Sequence, residues 1–111
     1  MKAVRQGELV FIKVDADFFK PGEIQILSLK PDLVIREGEL TGHKHIASAG
    51  KLYEVPIWLR SDLHNAQMLL ESETDVVVSH NEHKVAELEK GYTLIRIQRE
   101  YDEERDSLIS D

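Results

Sequence analysis

The chain has 111 residues, 41% hydrophobic and 32% charged, with no cysteine and a formal net charge of −7. Length and composition fit one ordinary globular domain, and the lack of cysteine excludes disulfides, thiolate metal sites and a cysteine nucleophile. A broad nucleic-acid face is not expected either, since it needs clustered lysine and arginine to displace counterions from phosphates.

In chain order, the residues before Gly7 lack the apolar segment of a signal peptide, and no apolar run approaches the length of a membrane span. A cytoplasmic protein without membrane contact is therefore expected. Glu8-Leu9-Val10-Phe11-Ile12-Lys13-Val14 reads as a first strand, and Phe18-Phe19-Lys20-Pro21-Gly22 as a loop closing on a Pro-Gly turn. Residues 23–27 and 33–37 read as the next strands, split by Lys30-Pro31-Asp32. Gly38 and Gly42 frame a turn, after which residues 43–47 resume extended structure.

Ala49-Gly50-Lys51 is a tight turn into a strand over 52–55. The one helix expected runs over 61–68, opened by Ser61-Asp62 as a cap. Trp58, between Ile57 and Leu59, reads as a core residue or an interface anchor. Residues 67–71 and 75–79 flank Ser72-Glu73-Thr74 as a hairpin, and 84–88 forms a further strand. Gly91 suits a positive-φ turn position before the longest strand, 92–101, which is rich in β-branched and aromatic residues. In it Arg96, Gln98 and Glu100 share one face and Arg99 and Tyr101 the other, as in a cross-strand charge ladder.

Many short strands separated by turns predict an all-β domain over residues 1–101, a small antiparallel sandwich or partly closed barrel with at most one short helix. Residues 102–111 are expected as an acidic tail, frayed or in a short surface helix.

Four of the five histidines fall in two tight groups, His43 with His45 and His80 with His83. Side chains at i and i+2 of a strand share a face, so His43 and His45 should project together. His80-Asn81-Glu82-His83 reads as a loop tip between two strands, placed to swing an imidazole toward them. Neutral imidazole is the commonest metal ligand. Glu37, Glu39 and Glu54 lie near the pair in sequence as a fourth ligand, a general base, or a partner that fixes a histidine tautomer. The candidate metal set is His43, His45, His83, Glu54 and His80. Nitrogen and oxygen donors without sulfur admit Zn²⁺, Mn²⁺, Fe²⁺, Ni²⁺ or Cu²⁺. His64 stands alone and reads as a surface residue. His80-Asn81-Glu82-His83 lacks the hairpin-plus-helix context of an HNH nuclease, no Gly-x-Ser-x-Gly turn accompanies the serines, and no phosphate-binding glycine motif occurs.

Arg5-Gln6-Gly7-Glu8, Glu37-Gly38-Glu39-Leu40-Thr41-Gly42-His43-Lys44-His45, and His80-Asn81-Glu82-His83-Lys84 through Gly91, Tyr92 and Gln98-Arg99-Glu100-Tyr101 resemble a family of short uncharacterised phage and prokaryotic proteins. That resemblance implies no activity. The order His43, His45, Glu54, His83 is also similar to the metal ligands of cupins, which implies a metal site and a cupin-like barrel. The interval from His45 to Glu54 is longer than in cupins, and the Pro-x-Gly that precedes their last histidine is absent.

Two functions follow as expectations. One is a β domain whose histidines bind a divalent metal or an anionic ligand, with catalysis open. The other is a non-catalytic interaction module of phage or mobile-element origin that self-associates as a homo-oligomer.

Overall fold

A computed structural model of the chain describes residues 2–37 and 43–98. Their strands are β1 (Lys2–Gln6), β2 (Leu9–Val14), β3 (Ser28–Leu29), β4 (Val34–Glu37), β5 (Lys44–Ala47), β6 (Lys51–Glu54), β7 (Met68–Ser72), β8 (Val76–Ser79), β9 (Ala86–Leu88) and β10 (Gly91–Ile97). They form a six-stranded sheet in the order β1-β2-β10-β7-β6-β3 and a four-stranded sheet in the order β4-β5-β8-β9. Every pairing is antiparallel. The two sheets stack as a sandwich, and no barrel closes among the described residues.

Burial explains why the strands look as they do. Leu9, Val10, Phe11 and Ile12 are buried in succession, which happens only when both faces of a strand are covered. Leu9 and Phe11 enter a core between the sheets with Ile35, Leu52, Val76, Val78 and Ile95. Val10 and Ile12 enter a second core on the opposite face, with Leu59, Leu63, Leu69 and Leu94. That second face is roofed by the loops and 3₁₀ turns of residues 15–27 and 55–66. Among the described residues the four-stranded sheet is covered on one side, and β8 alternates: Val76 and Val78 are buried, Val77 and Ser79 exposed.

Several expectations are corrected. Residues 23–27 do not form a strand: a 3₁₀ turn spans Ile24–Ile26, set up by the Glu23 carboxylate accepting from the Lys20 N–H at 3.1 Å. The helix expected over 61–68 is instead a 3₁₀ segment, Ile57–Leu63, which starts after Pro56. It stops because His64 and Asn65 take φ of 57° and 61°, a left-handed turn that no right-handed helix can continue.

The expected hairpin over 67–79 is absent. β7 pairs with β6 and β10, whereas β8 pairs with β5 and β9. Ser72-Glu73-Thr74-Asp75 is a crossover between sheets, in which the Ser72 hydroxyl donates to the Thr74 carbonyl and accepts from the Thr74 N–H. Trp58 is not a core residue: it stands 71% exposed beside Ile57 at 79%.

The N-terminal strand β1, unanticipated from the sequence, hairpins onto β2 through Gly7-Glu8. Gly7 has φ +59°, the first-position conformation of a type II′ turn. Gly91 takes the positive φ expected of it, +112°. The Gly38–Gly42 turn, Glu39, the face assignments of residues 99–101 and the acidic tail lie outside the described residues. Among those described, no helix is long and apolar enough to cross a membrane.

Candidate functional site

One end of the sandwich joins parts of both sheets. From the four-stranded sheet come His43, just before β5, then His45 within it, and the loop from β8 to β9 that carries His80 and His83. From the six-stranded sheet comes the β1–β2 turn, with Gln6 and Gly7. β5 alternates, with His45 and Ala47 buried and Ile46 exposed. This alternation sends His45 inward, toward the other sheet.

The four imidazoles meet there. Ring centroids are 4.2 Å apart for His45 and His80, 4.6 Å for His80 and His83, 5.8 Å for His43 and His80, and 6.0 Å for His45 and His83. The His45 and His83 rings are nearly parallel, at 14°, with His80 inclined between them. His83 also lies over Gly7, where an added Cβ would stand 2.8 Å from its Nε2.

Gln6 sets the chemistry of His45. Its side chain is buried, and its Nε2 donates to the Val78 carbonyl at 2.9 Å and the Lys84 carbonyl at 2.7 Å. Carbonyls only accept, so these two bonds fix which end of the amide is NH₂. Its oxygen therefore faces His45 Nδ1, 2.8 Å away. An amide oxygen also only accepts, so Nδ1 must carry the proton. The neutral His45 ring then has its lone pair on Nε2.

The other rings are held differently. His80 Nδ1 accepts from the Glu82 N–H at 3.1 Å, which puts the neutral ring's proton on Nε2. His43 Nδ1 lies 3.4 Å from a Glu82 carboxylate oxygen. Around the rim, Arg36 pairs with Glu8, and Lys44 Nζ lies 3.9 Å from Glu37. Of these groups two are cations, Arg36 and Lys44, and three are carboxylates, Glu8, Glu37 and Glu82, so the rim is negative by one charge before the imidazoles are counted.

In a tetrahedral complex with nitrogen about 2.0 Å from the ion, imidazole centroids lie about 5 Å from one another. The observed separations bracket that value, but the rings stack rather than aim at one point. As they stand, no group of three His, Asp or Glu side chains among the described residues is placed to hold an ion.

A family model described as a domain of unknown function (DUF8820) matches residues 5–98. The chain belongs to the DUF8820 family. No curated protein and no solved structure matches it. The matched stretch of the DUF8820 domain includes Gln6 and all four clustered histidines, and its first and last residues touch: the Arg5 guanidinium donates to the Gln98 carbonyl at 3.3 Å.

Within the DUF8820 domain, His43, His45, His80 and His83 are brought together and Glu54 is not. Glu54 is an exposed residue of β6, opposite Ser28 and Met68. β6 is four strands from β1, on the order of 19 Å at ordinary strand spacing. His64 is also elsewhere, stacked on Phe18 at 5.1 Å. Sequence reasoning missed Gln6, Gly7 and Glu82. Of these, only Glu82 carried a signal, as the carboxylate between His80 and His83.

Proposed function

We propose that this domain binds a divalent transition-metal ion at the open end of the sandwich, through His45 and His83 with His43 or His80 completing the nitrogen donors. The supporting observation is the Gln6–His45 pair. A buried imidazole has its Nδ1–H tied to an amide oxygen, its lone pair on Nε2, and two more imidazole rings within 6.0 Å. Metal-ligating histidines are generally oriented by such a second hydrogen bond. Imidazole donors favour Zn²⁺, Cu²⁺ and Ni²⁺, while Glu82 as an oxygen donor keeps Fe²⁺ and Mn²⁺ in the set. Loading requires the stacked rings to rotate, and His80 to release the Glu82 N–H if it binds through Nδ1. One such bond is worth about 1 kcal/mol, small against the binding energy of an ion.

The test is a thermal melt of chelator-stripped protein with each ion in turn. An ion that binds the folded chain at 100 times its Kd adds about 2.7 kcal/mol. His43→Ala combined with His45→Ala should abolish that gain and His64→Ala should retain it. No gain with any ion, or a gain that survives the double substitution, rejects the reading.

A second reading rests on a different observation, the exposure of Ile57 and Trp58. Adjacent large apolar side chains on a surface turn suit an interface anchor of a self-associating module, of the phage-related kind the sequence resembles. Light scattering should then give a dimer mass, and Trp58 emission should shift to the blue with rising concentration. A monomer with concentration-independent emission rejects it.

A further inference from the structure

Two arginines share the outer face of the six-stranded sheet. Arg5 stands opposite Val10 across β1 and β2, and Arg96 stands opposite Val10 across β10 and β2. Residues opposite one another in an antiparallel pair share a face. Arg5 and Arg96 therefore flank Val10 on the side away from the four-stranded sheet, their Cα atoms about 10 Å apart at two strand spacings. Arg5 follows the alternation of β1 and faces away from its neighbour Gln6, so this place is separate from the histidines. Backbone carbonyls hold both side chains. Arg5 reaches over β2, and its Nη2 donates to the Gln98 carbonyl at 3.3 Å, two residues beyond Arg96. Arg96 Nη1 donates to the His64 carbonyl at 3.2 Å.

What these bonds leave over carries the inference. The Nε of each arginine is buried and has no acceptor among the described residues. A stranded buried donor is costly and calls for a partner. In Arg96 the edge made by Nε and Nη2 is left over as a whole, and that edge can grip an oxyanion through two parallel hydrogen bonds. Among the described residues no carboxylate pairs with either guanidinium. Glu8, at the β1–β2 turn, is taken up by Arg36, and Val10 occupies the cross-strand place where a charge ladder would put an acid. Two like charges are thus drawn to one face without a counter-charge in contact.

We propose that Arg5 and Arg96 bind a phosphoryl dianion, as inorganic phosphate or as the end group of a phosphate monoester, where this face meets the 55–66 loop. Two guanidiniums balance a dianion, and a tetrahedral group has oxygens enough to meet both. A single carboxylate would leave one cation uncompensated. Both arginines are half-buried, so the anion meets their outer nitrogens first, and a turn of each guanidinium then presents Nε–H. The net charge of −7 repels anions at long range, so affinity comes from contact and not from steering.

The experiment titrates ¹⁵N-labelled, chelator-stripped protein at constant ionic strength with inorganic phosphate, with glycerol 1-phosphate and with chloride, following the arginine Nε–H signals. About pH 7.5 keeps the monoester dianionic, since its second pKa is about 6. Saturable shifts of Arg5 and Arg96 are expected with at least one phosphate and not with chloride. The tighter of the two phosphates identifies the source, a free ion or a phosphorylated molecule. Arg5→Gln and Arg96→Gln should each weaken binding about tenfold or more, the worth of a charged hydrogen bond. Arg96→Lys guards against loss of folding in Arg96→Gln: it keeps the charge, loses the fork and should still bind more weakly. Lys51→Gln removes an exposed cation on β6 and should leave the affinity unchanged. No saturation with either phosphate, equal shifts with chloride, an affinity untouched by Arg5→Gln and Arg96→Lys, or equal weakening by Lys51→Gln overturns the proposal. A poly-glutamate peptide that saturates the same signals where both phosphates fail also overturns it, by assigning the pair to an acidic protein partner.

Discussion

Gln6 governs the histidines because a buried primary amide has three hydrogen-bonding valences used here and all are directional. Gln6→Leu would keep the volume and remove all three bonds. It strands the Val78 and Lys84 carbonyls and the His45 Nδ1–H, each at about 1–3 kcal/mol unless water enters. The expected loss is about 2–4 kcal/mol in denaturant unfolding, together with about 10- to 100-fold weaker Zn²⁺ binding through loss of the tautomer lock. A Gln6→Leu protein that binds Zn²⁺ as well as the parent would show that the amide does not prepare His45. Nothing in Arg5-Gln6-Gly7-Glu8 distinguishes a buried glutamine from a turn residue. Its carbonyl partners lie 72 and 78 positions along the chain, so only the folded topology reveals it. The two histidine pairs were legible for the opposite reason: each is local in sequence, although His43 lies just before β5 and only His45 follows its alternation.

At the scale of elements, legibility followed coverage. Strands buried on one or both faces have a strong apolar pattern, and β2, β4, β5, β6 and β10 stand close to where that pattern puts them. Pairing was less legible, because a three-residue link between two apolar runs serves a hairpin or a sheet-to-sheet crossover equally well. The β7–β8 link is the crossover kind, and it allows β7 to pair with β6 and β10. On the outer face of that sheet, Tyr53 donates to one oxygen of Glu71 at 3.2 Å and Tyr92 to the other at 3.4 Å. Both phenols are pushed above the ordinary tyrosine range, first by burial and then by the charge of Glu71. A raised folded pKa means that the stabilisation is complete below the unfolded value near 10 and is lost as pH climbs through the folded one. Residue-resolved NMR titration of the two rings should show both ionising later than in the denatured chain. Glu71→Gln should bring both down part of the way, since burial remains. An unchanged titration in Glu71→Gln would show that the carboxylate does not contribute.

At the scale of the whole molecule, the six-stranded sheet is the spine. One face is covered by the four-stranded sheet and the other by 3₁₀ turns and loops, so β10 is flanked by β2 and β7 in its own plane and covered above and below. Among the described residues β4 pairs only with β5, at the edge of the four-stranded sheet. The histidine site lies at the seam between these unequal partners, with Gln6 supplied by the spine and the imidazoles by the outer sheet. Opening of the outer sheet would separate Gln6 from His45 while the spine stayed intact. Native-state hydrogen exchange should therefore grade the molecule: amides of β10 and β2 exchange only with global unfolding, and those of β4 and β9 exchange through openings of lower free energy. If the imidazoles hold Zn²⁺, exchange in β5, β8 and β9 should slow more than in β10, because the ion ties β5 to the β8–β9 loop within the outer sheet. Uniform protection in both sheets would show that the outer sheet does not open separately, and slowing by Zn²⁺ confined to the spine would show that the ion is not held by the histidines of the outer sheet.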